Sequence, residues 1–227
     1  MIPAAKGGAF GRAIAAYVER KVRRAFRGVW LRGTLPAADA PLLVYANHCG
    51  FWDGFVAHAV CRAAGWDGYC MTEERTLRRY RFLARLGAFS VRRDAPGDVL
   101  AAMRYATALL SRPGTAVVVF PEGELRAFGA GPVRVARGIE LLARRADATC
   151  VPVAIRYAFF EHELPDVLVD VGRPHPPVTC AGFAARLEAL VGELAAAHGT
   201  AGFARLVRGR RSVAERWDVV RGLPVAT

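Results

Sequence analysis

Between residues 42 and 171, short apolar runs alternate with segments of helical period, and this alternation restricts the fold more than any other feature of the chain. Strands are predicted at 42–46, 68–71, 89–92, 116–120, 150–155 and 167–171, and helices at 53–64, 76–86, 96–111, 133–145 and 181–198. Such a pattern predicts an α/β fold with a single mixed, largely parallel sheet flanked by helices. A length of 227 residues suits one domain with a substantial core. "SVAERW" at 212–217 reads as a short capped helix.

Ahead of this pattern, residues 9–31 carry Phe10, Ile14, Tyr17, Val18, Val22, Ala25, Phe26, Val29 and Trp30 at three- and four-residue spacing, with basic residues between them. The reading is a basic amphipathic helix in a segment 1–33, followed by a globular domain over 34–227. Residues 33–41 form the connector. Net charge is +12, almost all of it contributed by residues 1–33 and 205–222. Basic charge interleaved with apolar side chains suits an anionic membrane surface better than a nucleic acid, for which no recognition motif is present. No apolar run approaches the ~20 residues needed to span a bilayer. Five scattered cysteines, without a CxxC, read as reduced packing residues of a cytoplasmic protein. The histidines form no metal-ligand spacing with acids or cysteines, so no metal site is expected.

Strand ends are where α/β folds place their chemistry. "NHCGFWD" puts His48 five residues before Asp53. That spacing is wrong for one helix face. It works if His48 lies in a bend and Asp53 in the first helical turn, where a carboxylate can fix the imidazole as a general base. Taken alone, it leaves open whether His48 is catalytic or structural. "GAFSVRR" supplies Arg92 and Arg93, and "FPEG" places Glu122 and Gly123 on a turn after Pro121. Each is weak by itself. No G-x-S-x-G elbow is present, so no serine nucleophile is expected.

In this order, "NHCGFWD", "GAFSVRR", "FPEG" and "VPVAI" at 151–155 resemble the four sequence blocks of the glycerolipid acyltransferase superfamily, which includes 1-acylglycerol-3-phosphate acyltransferases. The resemblance spans about residues 41–157. It implies transfer of a fatty acyl group from acyl-CoA or acyl-carrier protein to a lysolipid hydroxyl, with no further cofactor, by a peripheral enzyme on the inner face of the cell membrane. Carried over by position, His48 is the base and Asp53 its orienting partner. Arg93 binds the acceptor phosphate, while Glu122 and Gly123 shape the acceptor site; Arg92 and Arg126 are further cations that an acceptor phosphate would call on. Pro121, Val151 and Pro152 are expected as strand core or acyl-site wall.

The third block departs from the family pattern. Glu124 stands where threonine is usual, Leu125 where arginine is usual, and Arg126 comes one position late. This keeps a non-phosphate acceptor open beside 1-acylglycerol-3-phosphate: an aminolipid, a sugar lipid or a carotenoid glycoside. A catalytically silent lipid-binding relative is the remaining alternative.

Overall fold

The computed structural model describes residues 1–37 and 39–222. Ala38 of the expected connector and the last five residues of the expected domain lie outside that range. The elements in chain order are α1 (Gly8–Ala25), β1 (Gly28–Gly33), β2 (Leu42–Ala46), α2 (Asp53–Ala63), β3 (Asp67–Glu73), α3 (Glu74–Arg79), a 3-10 turn (Arg81–Leu86), β4 (Ala88–Val91), α4 (Pro96–Leu109), β5 (Thr115–Val119), α5 (Gly138–Ala146), β6 (Thr149–Ala158), β7 (Asp166–Val171), α6 (Cys180–Ala195), β8 (Ala204–Arg208) and α7 (Val213–Val220).

The strands form one sheet in the order β4-β3-β5-β2-β6-β7-β1-β8. Only the β6–β7 and β1–β8 pairs run antiparallel. Side chains alternate across the sheet, as the two-residue strand period demands. Leu42, Val44 and Ala46 of β2 enter one apolar cluster with Val22 of α1 and Val56 and Val60 of α2. Leu43 and Tyr45 enter the other, with Met103 of α4, Leu142 of α5 and Phe183 of α6. All five residues of β2 are therefore buried, and it runs through the centre of the molecule.

Two expectations from periodicity need correction. The N-terminal helix stops at Ala25, Phe26 is extended, and residues 28–33 are the strand β1. Val29 and Trp30 fit helical spacing and strand alternation equally well. What decides is pairing with β7 and β8, whose partners lie far along the chain. Residues 28–33 are accordingly built into the sheet, and α1 lays Ala15, Val18 and Val22 against the protein. The helix expected at 76–86 is divided into α3 and a 3-10 turn, which closes at Gly87 with φ +103. β8 is an element that periodicity does not predict. The short helix at the end is present, closed by a capping box between Ser212 and Glu215.

Candidate active site

β2 lies between β5 and β6 and is parallel to both, so the loops after β2 and β5 leave the sheet side by side. Asn47 follows β2. Its side-chain amide donates to the Ile155 carbonyl at 2.9 Å and accepts from the Ile155 N–H at 2.8 Å, extending the pairing with β6 into the loop. The chain then bends through His48, Cys49 and Gly50 into α2, whose first residue is Asp53.

Asp53 is fully buried. One carboxylate oxygen accepts from His48 Nδ1 at 2.7 Å, the Cys49 N–H at 2.7 Å and the Gly50 N–H at 2.9 Å. The other accepts from the Tyr157 hydroxyl at 2.6 Å. Burial first, and then the neighbouring Asp53 charge, push the Tyr157 phenol well above its ordinary pKa, so it remains a donor. A carboxylate only accepts, so Nδ1 of His48 is the donor of this bond, and Nε2 is the ring nitrogen turned away from Asp53. The ring stacks on Phe120 with centroids 4.4 Å apart. The pair has the separation and tautomer of a general base with its orienting carboxylate.

Cys49, beside His48, is not set up as a nucleophile. Burial, followed by the charge of Asp53, raises its pKa strongly, and the thiol approaches the Ile155 carbonyl at 3.2 Å.

A model of the Acyltransferase family matches residues 21–156, more than half of the chain. The chain belongs to that family. In fold this acyltransferase is similar to the crystal structure of the 1-acyl-sn-glycerophosphate acyltransferase PlsC from Thermotoga maritima, with a TM-score of 0.52 and 20% identity over 81% of this chain and 76% of that one. No curated protein sequence matches the chain.

Of the remaining blocks of this acyltransferase, the Glu122 loop contacts His48 directly, and Arg93 reaches that loop at Gly123. Glu122 faces the protein: one oxygen receives the His48 N–H at 3.4 Å, the other Arg126 Nη1 at 2.8 Å. The Arg126 N–H donates to the His48 carbonyl at 2.8 Å, and its guanidinium also binds the carbonyls of Ala130 and Pro132. The "FPEGELR" loop therefore grips the backbone of the histidine on both sides. Gly123 has φ +72, and a Cβ there would lie 2.4 Å from Arg93 Nη1, so the Arg93 side chain rests on this glycine. Glu73, at the end of β3, holds Arg93 Nε at 2.5 Å. Arg92 is exposed, and its N–H donates to Asp98. Val151 and Pro152 are buried in β6, and Pro121 is buried in the turn after β5.

Three residues of this arrangement escaped the sequence reading. Tyr157 and Glu73 carry no motif, and Phe120 reads only as the end of an apolar run. The one available signal was register. Glu73 pairs with Val91, two residues before Arg93, and β3 lies against β5. Among the described residues, no three His, Cys, Asp or Glu side chains come together to hold a metal ion.

Proposed function

We propose that the protein transfers a fatty acyl group from acyl-CoA or acyl-carrier protein to the free hydroxyl of a lysolipid, with 1-acylglycerol-3-phosphate as the first acceptor to test. The observation that carries this reading is the 2.7 Å bond between His48 Nδ1 and the buried Asp53 carboxylate. His48 Nε2 takes the proton of the acceptor hydroxyl as its oxygen forms the new bond to the thioester carbonyl carbon. Asp53 stabilises the imidazolium. Collapse of the tetrahedral intermediate breaks the C–S bond, and the imidazolium returns the proton to the departing thiolate. No protein nucleophile takes part. Arg93 is the guanidinium offered to an acceptor phosphate, with Arg92 as a further cation on the same segment.

A second reading, an acceptor without phosphate, has a specific observation in its favour. The cations near the base are already matched: Arg126 by Glu122 and two carbonyls, and Arg93 by Glu73. Glu124 adds an exposed carboxylate on the same loop. Such a rim also suits an ammonium or hydroxyl headgroup.

We infer further that the enzyme works peripherally on the inner face of the cell membrane, where a lysolipid resides. Among the described residues no helix is long and apolar enough to cross a bilayer. The outward face of α1 carries Phe10, Tyr17, Arg12, Arg20, Arg23 and Arg24.

The test is thiol release from acyl-CoA and acyl-carrier protein against a panel of lysolipid acceptors. His48→Ala is expected to lower the rate by about 10²- to 10⁴-fold. Full activity in that variant rules out the mechanism, and turnover of an aminolipid but not of lysophosphatidate replaces the leading acceptor with the second.

A further inference from the structure

We infer that the short C-terminal helix α7 is a rigid interfacial foot that presses the catalytic end of the sheet onto an anionic membrane surface. This rests on the membrane-bound acceptor of the proposed function and adds the surface by which the protein reaches it.

Val213, Trp217 and Val220 of α7 stand at i, i+4 and i+7, on one side of the helix, and are 55%, 62% and 76% exposed. Arg216 and Arg221 flank this stripe on its two sides, and Arg210 and Arg211 precede the helix, all of them exposed. An exposed tryptophan between aliphatic residues, bordered by guanidinium groups, matches the boundary between acyl chains and anionic headgroups. The opposite side of α7 carries Glu215, which is buried. Its carboxylate accepts from Arg27 Nη1 at 3.3 Å and from the Ser212 N–H at 2.7 Å. Arg27 in turn holds Asp166 through Nε and Nη2 at 2.8–3.1 Å, and Asp166 accepts from Trp30 Nε1 at 2.6 Å. A buried charge network thus sets which side of α7 faces outward.

Sheet register locates this foot. β6 pairs with β2 at Ala46 and runs on to Tyr157, whose hydroxyl meets Asp53. The next residue, Ala158, pairs with Asp166, which pairs with Gly28, which pairs with Arg208. That row leads from the catalytic pair to the start of α7 along one end of the sheet. Phe51 in the His48 loop, Leu125 in the Glu122 loop and Phe159 just after β6 leave the same end, each at least 60% exposed. The apolar side chains left uncovered around the site and those of α7 therefore share an end, and the arginines supply charge complementary to anionic lipid.

The experiment is co-sedimentation of the full chain with vesicles of phosphatidylglycerol and phosphatidylcholine, compared with phosphatidylcholine alone. Trp217→Ser/Val220→Ser is expected to lower partitioning onto the anionic vesicles by at least about tenfold. Arg216→Glu/Arg221→Glu should do the same on anionic but not on neutral vesicles. Quenching of tryptophan fluorescence by brominated phosphatidylglycerol should be strong in the unsubstituted chain and largely lost in Trp217→Phe. Undiminished partitioning in both double variants, or undiminished quenching in Trp217→Phe, overturns the inference. So does a drop in oligomer mass in solution with vesicle binding intact, which would make this face a contact between copies. Thiol release on a short-chain acceptor kept below its micelle concentration should be equal in all these proteins. Its absence from all of them, the unsubstituted chain included, counts against the proposed reaction and leaves the vesicle result standing.

Discussion

At the scale of single residues, Asp53 is the side chain on which the site turns. With the Cys49 thiol further off at 3.9 Å, the two Asp53 oxygens accept four hydrogen bonds from nitrogen and oxygen donors, and one of the four comes from the His48 ring. Three are local, the imidazole of His48 and the N–H groups of Cys49 and Gly50, while the fourth reaches across from Tyr157, 104 positions away. Tyr157→Phe removes a hydrogen bond to a buried charge and is expected to cost about 1–3 kcal/mol of stability. Turnover should fall at the same time, because the carboxylate that orients His48 loses an anchor, and denaturant midpoints together with thiol release measure both. Gly50 belongs to the same arrangement. A Cβ there would come 2.7 Å from the Tyr157 ring, so the missing side chain admits the tyrosine.

At the scale of elements, α2 carries the carboxylate at its first turn and His58 along its length. Nε2 of His58 is buried and has no hydrogen-bond partner among the described residues. Burial, then the charges of Arg62 and Lys6, lower its pKa to about 4, with Glu19 opposing weakly. Below pH 6.5 the unfolded chain takes up a proton that the folded chain refuses until about pH 4. Stability is therefore fully present above pH 6.5 and is lost as pH falls through that window. The loss from this group between pH 7 and pH 5 is about 2 kcal/mol. His175, whose pKa is also lowered by burial, acts in the same direction. Urea midpoints at the two pH values should differ, and His58→Leu should show a smaller difference than the unsubstituted chain.

At the scale of the whole molecule, charge and chemistry are arranged around the sheet. Two basic ends of the chain, far apart in sequence, are tied together where Arg27 meets Glu215. The net charge of +12 makes an anionic surface a plausible partner. Binding to phosphatidylglycerol vesicles should weaken by on the order of tenfold or more between 0.05 and 0.5 M NaCl, as the screening length contracts. A salt-independent bound fraction in co-sedimentation would mean that charge contributes little to that contact.

The sequence alone determined the layered fold, most strand positions, and the bend that brings His48 to Asp53. Each of these depends on residues close along the chain: alternation within a strand, helical spacing, or the five-residue step from His48 to Asp53. Only the tertiary structure decided that Val29 and Trp30 belong to a strand, that Glu122 and Arg126 grip the backbone of His48, that Glu73 holds Arg93, and that Tyr157 completes the carboxylate's hydrogen bonds. Those outcomes follow from which strands lie side by side in the sheet. Parallel pairing joins segments separated by whole crossovers, and residues brought together in that way leave no periodic trace in the sequence.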